Sequence, residues 1–153
     1  MDPIKEALTF DDVTLAPNYS KILPSEVKTD VQLSKHLNIS IPLITSAMDT
    51  VTESNMAISI GKSGGICVIH RNLSINDQIK EIRKVKSKKM LVGAAVGASI
   101  NENIRAQKVL KENIDLIVVD TAHGHTKKVA EIIKKIKKMK VSILNFCRLK
   151  NFL

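Results

Sequence analysis

Apolar and polar positions fall into alternating blocks along most of this chain. From Ile41 onward, short apolar runs are separated by stretches in which apolar residues recur every three or four positions, the pattern of buried strands alternating with amphipathic helices. Ile41 to Met48 is the first run, with Pro42 near its start, where a missing N–H is tolerated. Thr50-Val51-Thr52-Glu53 has capping-box spacing and predicts a helix that ends near Gly64-Gly65. Ile66 to Ile69 predicts a second strand, and Ser74 a cap for a second helix with Ile75, Ile79, Ile82 and Val85 on one stripe. Leu91 to Val96 follows as a third strand. Asn101 is the expected cap of a third helix that turns Ala106, Val109 and Leu110 inward, and Leu116 to Val119 is a fourth, buried strand. Val129, Ile132, Ile133 and Ile136 then mark a fourth helix, and Val141 to Leu144 begins a fifth strand.

Residues Met1 to Leu37 show no sustained period and are punctuated by Pro3, Pro17 and Pro24. Residues 1–40 are therefore read as an N-terminal arm, 41–143 as an incomplete barrel domain and 144–153 as a divergent tail. Strand-helix units with near-continuous apolar strands argue for an α/β fold whose parallel sheet is covered by helices. A barrel and an open doubly wound sheet both meet that pattern. An eight-fold barrel typically needs about 250 residues, so the units counted here amount to about half of one. The expected fold is a partial TIM (β/α)8 barrel, about four βα units plus the start of a fifth strand. A half-barrel is expected to expose open sheet edges and apolar lumen side chains, which self-association or a complementary C-terminal half would cover.

Composition narrows the class without changing the fold. Apolar residues make up 44% and charged residues 25% of the 153 residues, as in an ordinary globular domain. No apolar run approaches the roughly 18 to 20 residues that span a bilayer, and the first residues lack an apolar signal core. No membrane association and a cytoplasmic location are expected. Cys67 and Cys147 lie in unrelated settings, which argues against a disulfide framework or a zinc site. The net charge of +9 comes largely from Lys127, Lys128, Lys134, Lys135, Lys137, Lys138 and Lys140 on one helical stretch. With only one Tyr, three Phe and no Trp in the chain, base stacking is poorly served, so nucleic-acid binding is not expected and the lysines read as a solvated face.

In α/β folds of this kind chemistry sits at the carboxyl ends of the strands. Those ends read Ser46-Ala47-Met48-Asp49-Thr50, His70-Arg71-Asn72, Gly93 to Gly97, and Asp120-Thr121-Ala122-His123-Gly124-His125. Asp120, directly after a buried strand and before a glycine-containing loop, is suited to accept hydrogen bonds from ribose hydroxyls. The small residues from Gly93 to Gly97 leave room either for lumen packing or for a flat ligand. Met48 suits the core or the face of an aromatic base. His70, His123 and His125 are the candidates for a metal, but their spacing is a weak signal and no metal is expected. Cys67 lies between Ile66 and Val68 and reads as a buried apolar side chain rather than a nucleophile.

Five stretches, taken together, resemble the inosine 5′-monophosphate dehydrogenase family: Ala7 to Pro17 (ALTFDDVTLAP), Ile41 to Glu53 (IPLITSAMDTVTE), Gly64 to Ser74 (GGICVIHRNLS), Leu91 to Ala98 (LVGAAVGA) and Val118 to Thr126 (VVDTAHGHT). They run in family order. The resemblance implies an NAD-dependent oxidation of IMP to XMP in guanine nucleotide biosynthesis. It places Ser46 and Met48 at positions that contact the IMP nucleoside, and Asp120 at the carboxylate that contacts NAD, with Thr121 and Ala122 beside it. A fragment similar to the sister GMP reductase family is the alternative, as is a non-catalytic nucleotide-binding or interaction module. A metal-dependent hydrolase built on the three histidines is a further one.

Two departures from the family pattern shape the expectations. Between Val85 and Leu91 only Lys86-Ser87-Lys88-Lys89-Met90 stands where the family usually inserts its CBS modules, so regulation through them is expected to be absent. After Ile143 the chain departs from the family's strand end, and the catalytic-cysteine loop, the potassium site, the phosphate loops and the Arg-Tyr flap are not found. No catalytic residue is assigned, Cys147 included, and the chain alone is expected to be inactive.

Overall fold

A computed structural model describes residues 6, 8–138 and, for the backbone alone, 142–147. After a 3-10 turn at Pro24–Glu26 come strands β1 (Val31–Ser34), β2 (Leu37–Ile39) and β3 (Ile44–Thr45). Helix α1 (Ser54–Lys62), strand β4 (Ile66–Ile69), helix α2 (Ile75–Ser87) and strand β5 (Val92–Val96) follow. Helix α3 (Glu102–Leu110), strand β6 (Leu116–Thr121), helix α4 (Lys127–Lys137) and strand β7 (Ser142–Cys147) complete the order. β1 and β2 pair antiparallel, while β3 to β7 form one five-stranded parallel sheet in the order β3-β4-β5-β6-β7.

That order decides between the two architectures left open by the sequence. A doubly wound sheet reverses its strand order at a switch point and carries helices on both faces. Here each strand pairs with its predecessor, and the buried residues of all four helices pack into one cluster. Ala57, Ile82, Val109 and Ile132 share it with Cys67, Ile69, Val92, Ala94, Ile117 and Val119 from one face of the sheet. This is the wall of a (β/α) barrel, with its helices on the outside.

The inner face holds a second cluster of Ile66, Val68, Ala95, Leu116 and Val118, covered by Leu37 and Ile39 of β2. The N-terminal arm, irregular by its sequence pattern, thus contains a hairpin, which covers inner-face side chains expected to be exposed. Those five inner-face residues are at most 5% exposed, because the hairpin packs over them. The most exposed apolar side chains include Phe10, Leu15 and Tyr19 of the arm, which are 90%, 87% and 83% exposed, and Ile100 before α3 at 81%.

Local chemistry explains where element boundaries moved. The capping box expected at Thr50 to Glu53 does not form. α1 starts at Ser54, whose N–H donates to Glu81 Oε2 at 2.9 Å, while the Thr52 hydroxyl donates to the Ser46 carbonyl at 2.6 Å. A side chain on α2 therefore supplies the acceptor that a local cap would have given. Asn101 stands at the start of α3 but its side chain makes no cap bond, since its backbone is already helical. Ser74 does cap α2, accepting from the Asp77 N–H at 3.1 Å, and Thr126 caps α4 in the same way through Val129.

β3 is only two residues long because the chain before it is tied elsewhere: the Ser40 and Ile41 N–H groups both donate to the Gly64 carbonyl. At the other end of the sheet, β7 pairs with β6 from Ser142 to Cys147, so the backbone remains strand into the segment read as a tail. The short link after α2 is a turn in which Lys89 takes a φ of 59°, and Asp115 Oδ2 accepts from both Lys86 Nζ and the Val92 N–H.

Candidate functional site

The carboxyl ends of β3, β4 and β6 surround a cleft of ≈ 320 Å³ lined by Ala47 to Asp49, His70 to Asn72, and Asp120. β4 ends in a buried apolar run, so the residue after it is still inside: His70 is 2% exposed. Neither ring nitrogen has a hydrogen-bond partner, and the nearest carboxylate, Glu53 Oε1, lies 3.6 Å from Nε2. A buried polar group left open in this way is costly unless a ligand or water completes it.

Asn72 turns back across the cleft and donates Nδ2 to Asp49 Oδ2 at 2.7 Å. That bond is the main reason the Asp49 carboxyl is held below its ordinary value, with backbone donors and the charge of His70 acting the same way. Arg71 reaches over the end of β5 to place Nε 3.9 Å from Asp120 Oδ2. Gly97 makes room for this crossing. A Cβ there would lie 3.3 Å from Arg71 Nη1 and 3.1 Å from Glu102 Cγ. The small residues at the end of β5 thus have two uses, because a Cβ on Gly93 would instead meet Leu116 and Val68 in the inner face.

Of the residues singled out from the sequence, the cleft brings together Met48, 40% exposed, and Asp120, whose side chain is 25% exposed. Ser46 does not line it; its carbonyl accepts from Thr52 and from the Met48 N–H, which folds the turn that presents Met48. Thr121 and Ala122 stand beside Asp120 but not on the cleft wall, and Thr121 Oγ1 is buried without a partner. His123 and His125 are exposed on the following loop, apart from His70. Among the described residues no group of three His, Cys, Asp or Glu is placed to hold a metal. Cys67 is fully buried in β4 and burial pushes its thiol up.

Asp49, Arg71 and Asn72 also line the cleft, and none of them stands out from the sequence as a site residue. The signal was a run of polar residues directly after a strand, but which of them turn inward depends on Gly97 and on the neighbouring strand ends. A partly exposed carboxylate at Asp120 and the partnerless ring nitrogens of His70 on the same cleft are an acceptor and donor set of the kind a nucleotide cofactor can use.

Comparison with known proteins agrees with this fold. Residues 7–146 match the IMP dehydrogenase / GMP reductase domain. Inosine-5′-monophosphate dehydrogenase of Borreliella burgdorferi is 40% identical over 183 aligned residues, covering 87% of this chain and 45% of that protein. The enzyme of the same name from Cryptosporidium parvum is 34% identical, with coverage of 92% and 46%, and that of Aquifex aeolicus is 44% identical, with coverage of 74% and 22%. The chain thus spans less than half the length of these curated relatives. The barrel wall, the cleft at its carboxyl rim and the match over residues 7–146 lead to one conclusion: the chain belongs to the IMP dehydrogenase / GMP reductase family.

Proposed function

We propose that the rim cleft is the N-terminal part of the nucleotide site of an IMP dehydrogenase, the enzyme that oxidises IMP to XMP with NAD. The observation that carries this reading is Asp120, an accessible carboxylate at the end of β6 that faces Met48 and His70 across the cleft. In this reading Asp120 accepts hydrogen bonds from the NAD ribose, with Thr121 and Ala122 beside it, while Ser46 and Met48 contact the IMP nucleoside. NAD, when bound, supplies the hydride acceptor. The residues present here bind and orient: Arg71 lies beside the Asp120 carboxylate, and Asn72 fixes Asp49 by donating to its Oδ2. The buried thiol of Cys67 is no nucleophile, since the thiolate is the reactive form and burial disfavours it. In this reading the residues present supply cofactor and nucleoside contacts, and no turnover is expected of them alone.

Calorimetric titration of the chain with NAD tests the reading, with NADH absorbance followed after adding IMP. Saturable NAD binding is expected, weakened by roughly 10- to 100-fold in Asp120→Ala, as the loss of hydrogen bonds to a charged acceptor implies. No NADH should form. Equal NAD binding by the wild type and Asp120→Ala, or no binding by either, would overturn the assignment of Asp120. Steady NADH production would overturn the claim about turnover.

We also propose that the chain self-associates through the arm, where Leu8, Phe10, Leu15 and Tyr19 are all more than two-thirds exposed. Sedimentation velocity should show species larger than a monomer. A single monomeric boundary across concentrations would count against it.

A further inference from the structure

Beneath the cleft, three side chains that do not line it form one continuous chain of hydrogen bonds. Gln78 of α2 is fully buried, and its Nε2 donates to the carbonyls of Ile69 at 3.2 Å and Ala95 at 3.0 Å. Its Oε1 accepts from Arg105 Nη1 at 2.9 Å. Arg105 Nη2 donates to the Leu73 carbonyl at 3.1 Å, and its Nε to Glu102 Oε1 at 3.2 Å. Glu102 Oε2 in turn accepts from the Gly97 N–H at 2.7 Å. The Arg105 and Glu102 side chains are only 11% and 15% exposed.

The backbone groups this chain selects are not scattered. Ile69 and Leu73 are the residues immediately before and after His70-Arg71-Asn72, so the segment that furnishes one wall of the cleft is held at both ends. Gly97 lies under the Arg71 guanidinium on its way to Asp120. Apolar packing of α2 and α3 against the sheet is non-directional and leaves the rim free to shift by tenths of an ångström. A planar guanidinium with donors in a fixed fork removes that freedom by setting three acceptors from different elements at fixed angles to one another.

We propose that Gln78, Arg105 and Glu102 are positioning residues: acting through the His70 to Asn72 segment and Gly97, they set the geometry of the cleft and hence its affinity for a nucleotide. The affinity part rests on the nucleotide reading given above; the geometric part stands on the network itself.

The test uses Arg105→Lys and Glu102→Gln in the full chain, with circular dichroism to follow the fold. The diagnostic readout is a carbon-13 NMR titration of the Asp49 carboxyl, which reports whether Asn72 is in place, with Asn72→Ala marking complete loss. Arg105→Lys is expected to move the Asp49 midpoint upward toward that of Asn72→Ala, and Glu102→Gln to move it less, with the fold retained. NAD affinity should fall in parallel, by roughly tenfold for Arg105→Lys, the effect of about one lost hydrogen bond. A lowered melting temperature with the Asp49 midpoint unchanged in Arg105→Lys would overturn the proposal and leave the network a purely structural tie. Should Arg105→Lys fail to fold, Glu102→Gln decides alone, because its amide still offers Gly97 an acceptor while losing the charge that holds Arg105. If NAD does not bind the wild type, the nucleotide reading fails, and the Asp49 titration still settles the positioning role.

Discussion

Replacing Gln78 with leucine is expected to lower the stability of the fold by about 3–5 kcal/mol, a large fraction of the roughly 5–15 kcal/mol margin a domain usually has. The two side chains are similar in volume, so packing against the sheet is nearly conserved and the loss is polar. The carbonyls of Ile69 and Ala95 lose their donor in a site with no access to water, and Arg105 loses the acceptor for Nη1. An unsatisfied buried group costs about 1–3 kcal/mol, and a low local dielectric raises rather than relieves that cost. Urea denaturation followed by circular dichroism measures it. A loss under about 1 kcal/mol would mean that water or a shifted backbone satisfies these carbonyls as well as Gln78 does.

Gly64→Ala is the second substitution with a large expected effect, about 2–4 kcal/mol, and its origin is steric and conformational. Gly64 has a φ of 91°, which L side chains rarely adopt, and a Cβ there would lie 2.7 Å from the Ser40 Cβ. Its carbonyl also anchors the Ser40 and Ile41 N–H groups just after the hairpin, so relief of the clash by moving Ser40 would loosen those bonds. Adding Ser40→Gly should recover the clash but not the backbone strain. The double variant is therefore expected to regain part of the loss, as read by a double-mutant cycle in urea. Full recovery, or none, would assign the cost to one cause alone.

Much of the architecture was legible because its signals are local. Ile75, Ile79, Ile82 and Val85 announce one helix face, Ser74 its start, and the apolar run at Ile66 to Ile69 a strand buried on both sides. What was not legible depends on partners distant in sequence. The start of α1 is set by Glu81 and not by the local Thr50 to Glu53 motif. The hairpin could have been read from the alternation in Val31-Gln32-Leu33-Ser34 and Leu37-Asn38-Ile39, but each run is too short to stand out from an irregular arm.

The site divides in the same way. Asp120 stood out as a carboxylate at a strand end, and the cleft includes it. Asp49 and Asn72 acquire their meaning only from each other, 23 positions apart in the chain. Gln78 carried no signal at all, since a glutamine on an amphipathic helix normally faces water.

The unbroken order from β3 to β7 also bears on how the chain reaches this structure. Each pairing from β4 to β7 closes a segment of roughly 25 residues, so every step meets a similar loop-closure entropy and none waits for a distant strand. A parallel sheet is usually slow to assemble because its contacts are remote in sequence. Here each new strand docks on the one made just before it, which suits growth from the N-terminal end as the polypeptide leaves the ribosome.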